Sequence, residues 1–258
     1  MIPLYRQLTS AAGSSTEHAH ASNWWTIESM KPIKAIVFDA YGTLFDVYSI
    51  GVLAEALFPG KGEALATLWR DRQIDYTRLR TLSGRYKPFD DVTRDALVFA
   101  CKKLGIHLSE ENCTALMDRY AKLPPFPENR QVLLALRARG LKLAILSNGN
   151  PTMLEIVVQG AGFAELFDHV LSADSARKFK TAPEAYALAA ATLGFGVDEM
   201  VFVSSNCWDA CGASWYGFPT FWVNRSVAPL EELDIKPEGE GRDLLDLLAF
   251  VSERSAMA

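Results

Sequence analysis

A short apolar segment that ends in an aspartate is the feature that most constrains this chain. Ile36, Val37 and Phe38 form a continuous apolar run, which is typical of a strand buried on both faces of a parallel sheet. Asp39 ends the run, and Thr43 follows after a break in the pattern. Open α/β sheets bind their ligands at the carboxyl ends of the strands. Asp39 is therefore a candidate functional residue, although an isolated carboxylate here could also cap a turn or a helix.

Strand and helix patterns alternate over the second half of the chain. Short apolar runs at residues 141–146, 170–172, 200–203 and 220–223 predict strands, and the amphipathic segments between them predict helices. Repeated strand–helix units imply a parallel sheet with right-handed crossovers. The fold class predicted from this alternation is α/β.

The remaining parts of the chain have different patterns. Residues 47–126 carry apolar side chains at three- and four-residue spacing and end in a proline-rich segment, which predicts a helical insert without strands. Residues 31–46 and 127–258 then form the α/β core. Residues 1–30 are rich in Ser, Ala and Thr and lack apolar periodicity, so we predict a disordered N-terminal extension.

Composition excludes several classes of protein. The chain has 258 residues, of which 49% are hydrophobic, and this is enough for one core domain and an insert. A net charge of -5 without a basic stripe argues against nucleic acid as a partner. No apolar run reaches the roughly 18 residues of a membrane-spanning helix. The four cysteines fit neither a zinc pattern nor a disulfide scaffold, so a reduced cytoplasmic protein is expected.

Polar residues follow three of the predicted strands. Asp39, Ser147 and Ser204 each stand at a strand end, and these ends meet at one edge of a parallel sheet. Taken alone, each polar residue could instead belong to a turn, a solvated surface or a helix start, and it is their joint placement that predicts a site. The residues predicted to converge are Asp39, Thr43, Ser147, Asn148, Lys180, Ser204, Asn206 and Asp209.

These segments resemble the motifs of a known enzyme superfamily. The segments Asp39-x-Tyr-Gly-Thr43, Ser147-Asn148, Lys180 and Ser204-Ser-Asn-Cys-Trp-Asp209 resemble those of the haloacid dehalogenase superfamily, and more narrowly of its L-2-haloacid dehalogenase (type II) subgroup. The resemblance covers about residues 33–225. It implies a Rossmann-like, doubly wound parallel sheet with an inserted helical cap.

Two substitutions separate this chain from the phosphatases of that superfamily. The phosphatases carry an acid/base aspartate two residues after the nucleophile, where this chain has Tyr41, and an acidic magnesium ligand where it has Ser205. The resemblance therefore implies hydrolysis of short 2-haloalkanoic acids to 2-hydroxy acids, with halide release through an aspartyl ester on Asp39 and inversion at an L-configured carbon. The alternatives are a phosphatase of the superfamily and a catalytically inactive binding protein on the same fold.

The resemblance also assigns partners and roles. It implies a haloacid substrate and water, a halide product, no cofactor, no metal, and a homodimer. Arg70 and Asn148 would bind the halide, Asp209 and Asn206 would orient or activate water, and Tyr186 and Ser204 would hold Lys180 or Asp39. Asp71 replaces the glutamine expected beside Arg70, which places the substrate preference in question. The residues expected to bind substrate are Tyr41, Arg70, Ile74, Phe89, Ser147, Asn148 and Trp208.

Overall fold

A six-stranded parallel sheet forms the centre of the molecule in the computed structural model, which describes residues 31–257. The strands run in the order β3-β2-β1-β4-β5-β6. This is a doubly wound order, so the predicted fold class is confirmed. The predicted extension at 1–30 lies outside the described residues. The strands are β1 (Ala35–Phe38), β2 (Lys142–Ser147), β3 (His169–Ser172), β4 (Met200–Ser204), β5 (Thr220–Val223) and β6 (Gly239–Gly241).

Nine α-helices accompany the sheet in the described part of the chain. Four lie between β1 and the next core helix, so the predicted all-helical character of that segment is confirmed. Its boundaries as a separate domain stay a prediction. None of the described helices is long and apolar enough to cross a membrane. The helices are α1 (Ile50–Leu57), α2 (Gly62–Leu82), α3 (Phe89–Lys103), α4 (Glu110–Tyr120), α5 (Asn129–Ala138), α6 (Pro151–Gly160), α7 (Pro183–Leu193), α8 (Cys207–Tyr216) and α9 (Leu244–Met257).

The sheet is covered on both faces. Ile36 and Phe38 pack into the larger apolar cluster, together with residues of α5, α6, α9 and the helical insert. Ala35 and Val37 point to the other face and pack with residues of α7 and α8. All four residues of β1 are fully buried, which explains why this strand reads as an unbroken apolar run.

The strand register brings the polar residues level with one another. Phe38 pairs with Ile145 of β2 and with Val203 of β4. Asp39, one residue further, donates its backbone N–H to the Val203 carbonyl at 2.8 Å. The chain winds from β1 through β2 to β3 on one side and returns to place β4 on the other side of β1. Asp39 therefore lies at the point where the strand order reverses, which is where doubly wound sheets bind ligands.

Candidate active site

Asp39 is held by three donors at the end of β1. Its Oδ1 atom accepts a hydrogen bond from Lys180 Nζ at 2.8 Å. Its Oδ2 atom accepts from Thr43 Oγ1 at 3.0 Å and from Asn206 Nδ2 at 2.9 Å. The residue is only 5% exposed, so few water molecules compete for these oxygens. The carboxylate is therefore fixed in orientation and largely removed from bulk solvent.

The turn after Asp39 requires a glycine. Gly42 has φ of 94°, in the region that side-chain-bearing residues rarely adopt. A Cβ atom there would stand 3.1 Å from the Ser205 Oγ atom. This turn returns Thr43 toward Asp39, and the Ser205 backbone N–H donates to Thr43 Oγ1 at 2.8 Å. The glycine thus allows the loop after β1 and the loop after β4 to meet over the carboxylate.

Lys180 lies between two carboxylates. Its Nζ atom donates to Asp39 at 2.8 Å, to Asp209 at 2.7 Å and to the Leu146 carbonyl at 3.0 Å, which uses all three of its protons. Burial on its own lowers the pKa of this amine, but the neighbouring charges of Asp209 and Asp39 outweigh it and raise the pKa above its ordinary value. The side chain therefore remains an ammonium ion and compensates the charge of Asp39.

Asp209 stands in the first turn of α8 and is fully buried. Its carboxylate accepts one hydrogen bond from Lys180 and one from the Tyr186 hydroxyl, both at 2.7 Å. Burial raises the pKa of Asp209, although Lys180 opposes the effect. Burial, and then the charge of Asp209, also raises the pKa of Tyr186 well above its ordinary value, so the phenol remains a donor. Asp209 is thus a carboxylate with raised proton affinity beside the candidate nucleophile.

Two contacts differ from the sequence-based expectation. Tyr186 does not hold Lys180 or Asp39 directly, because its hydroxyl donates to Asp209. Ser204 Oγ instead accepts the backbone N–H of Asn206 at 3.1 Å. A hydroxyl near the end of a strand readily bonds the local backbone, and this fixes the loop that leads into α8. Both residues position the site through a neighbour.

Arg70 reaches the site from the helical insert. It is buried in α2, and its Nη2 atom donates to the Tyr41 carbonyl and to Asn206 Oδ1, both at 3.2 Å. Its Nη1 atom donates to Gln73 Oε1 at 2.8 Å. Asp71, which stands where a glutamine was expected, is exposed and is not among the residues that line the chamber around Asp39.

Gln73 is a site residue that the sequence reasoning missed. Its Nε2 atom donates to Thr93 Oγ1 at 2.6 Å, and its Oε1 atom also accepts from the Tyr120 hydroxyl at 3.0 Å. These bonds fix the amide that orients Arg70. The sequence carries one indication of this role, which is that Gln73 stands three residues after Arg70 in a helical segment. Residues three apart on a helix share a face.

The carboxylate of Asp39 faces a small chamber between the insert and the core. Its volume is about 20 Å³, which is room for a single water molecule. Every residue expected to bind substrate lines it, whereas Thr77 of α2 was not expected. The lining residues are Asp39, Tyr41, Arg70, Ile74, Thr77, Phe89, Ser147, Asn148, Asn206 and Trp208.

Asn148 and Ser147 each keep a hydrogen-bond donor free for a ligand, because their oxygen atoms already accept hydrogen bonds from the backbone. Asn148 Oδ1 accepts the backbone N–H of Lys180 at 2.8 Å, which leaves the amide N–H groups of Asn148 for the chamber. Ser147 Oγ accepts the N–H of Gly149 at 3.1 Å, which leaves its hydroxyl proton to donate. Together with Arg70, these groups form an electropositive lining opposite Asp39. The lining suits an anion that must approach a carboxylate.

Asp39 is a buried carboxylate paired with the ammonium group of Lys180, and it lies at the switch point of a doubly wound sheet. This arrangement is that of an α/β hydrolase which acts through a covalent bond to a carboxylate. The family of haloacid dehalogenase-like hydrolases matches residues 33–217. This chain belongs to that family.

Individual relatives of this chain are named for a more specific activity than the family as a whole. An (S)-2-haloacid dehalogenase of Pseudomonas sp. (strain YL) is 46% identical over 211 residues, which covers 82% of this chain and 91% of that protein. The crystal structure of an L-2-haloacid dehalogenase has 59% identity and a TM-score of 0.85, and the match covers 86% of this chain and 100% of the other. The enzyme of Xanthobacter autotrophicus, solved with chloropropionic acid covalently bound, has 39% identity and a TM-score of 0.80, with 85% and 98% covered.

Proposed function

We propose that this protein is an (S)-2-haloacid dehalogenase, which hydrolyses short 2-haloalkanoic acids to 2-hydroxy acids and halide. The observation that carries the proposal is the Asp39 carboxylate, desolvated and held by Lys180, Thr43 and Asn206 beside a chamber with anion-binding donors. The relatives named for this activity support it. So does the relative that was trapped with chloropropionic acid covalently attached.

In the first step Asp39 attacks the carbon that bears the halogen. An oxygen of the carboxylate forms a bond to C2, and the carbon–halogen bond breaks with its electron pair on the halide. Oδ1 accepts one hydrogen bond and Oδ2 accepts two, which favours Oδ1 as the attacking atom. Removal of water from the carboxylate strengthens it as a nucleophile. Displacement from the rear inverts the configuration, and an L-configured carbon is the expected substrate.

In the second step water attacks the ester. The water oxygen bonds to Cγ of Asp39 and gives a proton to Asp209, whose raised pKa makes it a better base than an exposed aspartate. The Cγ–Oδ1 bond then breaks, and the released alkoxide takes a proton to become the 2-hydroxy acid. The remaining proton leaves to solvent. The water oxygen stays on Asp39, and the original Oδ1 leaves in the product.

The anionic groups of the reaction need separate binding sites. The hydroxyl of Ser147 and nearby backbone amides bind the substrate carboxylate, which offsets its repulsion by Asp39. The guanidinium of Arg70 and the free amide N–H groups of Asn148 receive the departing halide. Tyr41, Phe89 and the edge of Trp208 form the apolar wall that keeps water away from the reacting carbon.

We also propose a domain organisation for this chain. Residues 47–126 form a cap domain over a core of 31–46 and 127–258. Arg70 in that segment bonds groups of the core, which supports a cap that completes the site. We further propose a cytoplasmic homodimer that needs neither metal nor cofactor.

Oxygen labelling tests the proposal. The enzyme is allowed a single turnover of (S)-2-chloropropionate in water enriched in ¹⁸O, and the peptide that contains Asp39 is analysed by mass spectrometry. We expect one heavy oxygen on Asp39 and none in the lactate formed. Label in the product alone would show direct attack by water and overturn the mechanism.

The Asp209→Asn variant separates the two steps. It keeps the charge of Lys180 beside Asp39 but lacks the base, so formation of the ester continues while its hydrolysis slows by about 10²–10⁴-fold. We expect an adduct of the substrate acid on Asp39 in the intact-mass spectrum, with one equivalent of halide released. The Asp39→Asn variant is the control and forms no adduct.

A further inference from the structure

A second and larger cavity lies outside the chamber. It has a volume of about 670 Å³ and lies between the C-terminal part of α2 and the loop that leads into α7. Arg78, Thr81 and Leu82 form its wall on the insert, and Lys178, Lys180 and Thr181 form its wall on the core. We name this cavity the vestibule. It is large enough for a short haloacid, whereas the chamber has room for about one water molecule.

A residue of the chamber lining, Trp208, and a residue of the vestibule lining, Arg78, are stacked on each other. Trp208 lines the chamber, and the guanidinium of Arg78 lies over its ring at 5.0 Å from the ring centre. Thr77, the neighbour of Arg78 on α2, lines the chamber, while Arg78 lines the vestibule. Lys180 also joins the two spaces, because it lines the vestibule and bonds Asp39. The two cavities are therefore neighbours, and the Asp39 carboxylate lines the inner one.

Arg78 is the cation of the vestibule whose charge is not compensated. Lys178 forms an ion pair with Glu184. Lys180 is held between Asp39 and Asp209. Within residues 31–257, no carboxylate lies at ion-pair distance from Arg78, whose side chain is exposed and lies over the face of Trp208. An exposed cation over an aromatic ring retains its field for an incoming anion.

We propose that the vestibule is the route by which substrate reaches the chamber, and that Arg78 is its steering residue, which attracts the substrate carboxylate and stabilises it beside Trp208. This rests on the proposed function, because it takes a 2-haloalkanoate as the ligand. The carboxylate approaches Arg78 first and then passes to Ser147 and the amides of the chamber. Arg78 contacts no reacting atom and is not a catalytic residue.

The size of the effect follows from electrostatics. A single charge about 10 Å from the bound anion, in surroundings of intermediate dielectric, changes its binding by about three- to tenfold when screening by salt is weak. The effect changes KM and leaves kcat within about twofold, because Arg78 does not contact Asp39, Lys180 or Asp209. It also decreases as salt is added, unlike the loss of a packing contact.

The experiment compares variants of one helix that differ in charge. Halide release from (S)-2-chloropropionate is measured for Arg78→Lys, Arg78→Gln and Arg78→Glu at ionic strengths from about 0.02 to about 0.5 M, set with a halide-free salt. Arg72→Gln is the matched control, because it removes one charge from α2 where Arg72 pairs with Asp75 and stacks on Phe99.

We expect KM at low salt to follow the charge at position 78. It stays near the wild-type value for the lysine variant, rises about three- to tenfold for glutamine and rises further for glutamate, and these differences diminish at high salt. Equal salt dependence of Arg78→Gln and Arg72→Gln would overturn the steering role. A loss in Arg78→Lys as large as in Arg78→Gln would also overturn it, because stacking rather than charge would then matter. Failure of the wild-type enzyme to release halide would instead refute the proposed function.

Discussion

Lys180 shows how much of this site depends on one residue. Its ammonium group is buried with the carboxylates of Asp39 and Asp209, and no water is needed to complete its hydrogen bonds. Buried ion pairs contribute little net stability, since the desolvation penalty is close to the gain in attraction. Removal of one partner is different, because the other charges stay buried without compensation. The lysine is therefore needed both to compensate the charge of the nucleophile and for folding.

The Lys180→Met variant is expected to lose about 3–5 kcal/mol of unfolding free energy at pH 8, because two buried carboxylates lose their counter-charge. The loss decreases as the pH falls toward 5. Burial already raises the pKa of Asp209 above its unfolded value, and loss of Lys180 removes the main influence that lowers it. The folded variant therefore takes up a proton at a higher pH than its unfolded chain, so acidification recovers stability.

Urea denaturation of wild type and variant at a series of pH values measures this difference. The ammonium of Lys180 has a raised pKa, so in the wild type its contribution is fully present below the unfolded lysine pKa and is constant over this range. Lys178→Met is the control, since its ion pair with Glu184 is exposed and screened by solvent, so its loss is expected to leave the unfolding free energy nearly unchanged. A Lys180→Met deficit that stays constant from pH 8 to pH 5 would contradict the assignment to Asp209.

At the scale of the helices and strands, the sequence located most elements but not all of their ends. Ser109, with Asn112 three residues later, predicts an incomplete capping box, and its side chain caps α4 by accepting the Asn112 N–H at 3.1 Å. By contrast, the apolar spacing from Thr93 to Leu104 predicts a helix that starts at Thr93, but α3 begins four residues earlier, at Phe89, and a proline occupies its N-cap position. A proline there carries no side-chain acceptor, so the capping signal is absent.

The edge strand β6 was not predicted. Its sequence is Gly-Glu-Gly, which lacks the branched and aromatic side chains by which strands are recognised. Its pairing with β5 comes from the tertiary fold, and a Cβ atom at Gly239 would lie 2.6 Å from the Phe250 ring. Close approach of the last helix therefore determines this segment, and no local pattern reports it.

Within the site, the residues at strand ends were predictable and the bonds between them were not. The carboxyl ends of parallel strands converge in any doubly wound sheet, so Asp39, Ser147 and Ser204 follow from the strand pattern. Asn206 shows the limit. Its amide bonds Asp39 and Arg70 at once, and this depends on how α2 of the insert lies over the core. Sequence spacing holds no information on that packing.

The cap of α4 gives a prediction at this scale. The Ser109→Ala variant leaves the Asn112 N–H without its acceptor, and we expect a loss of about 0.5–2 kcal/mol in unfolding free energy. Because Ser109 lies far along the insert from the chamber lining, kcat for halide release stays unchanged. Thermal or urea denaturation measures the loss. Ser109→Asp restores an acceptor and recovers most of it, and equal losses in both variants would refute the capping role.

For the whole molecule, the relation between insert and core decides the function. The backbone N–H of Phe179 in the core donates to Thr81 Oγ1 of α2 at 3.0 Å, and the Tyr86 hydroxyl donates to Asp174. The ring of Tyr86 stacks on that of Phe179 at 5.1 Å. These contacts join the end of α2 to the loop that carries Lys180. The insert therefore supplies one wall of the chamber and fixes the loop behind the nucleophile.

The same assembly leads to a prediction about metal ions. The positive charge around Asp39 comes from Lys180 of the core and Arg70 of the insert, and Asn206 Nδ2 donates to both Asp39 and the Tyr41 carbonyl. These nitrogen donors occupy the lone pairs that a hard cation would need, since such cations prefer oxygen ligands. We therefore expect dialysis against EDTA, and later addition of Mg²⁺, to leave kcat/KM for (S)-2-chloropropionate unchanged within about twofold. Halide release is measured before and after dialysis, with a magnesium-dependent phosphatase as the control for chelation. Loss of activity in EDTA that Mg²⁺ restores would mean that the side-chain charges do not suffice, and the catalytic role of the Lys180–Asp39 pair would then have to be abandoned.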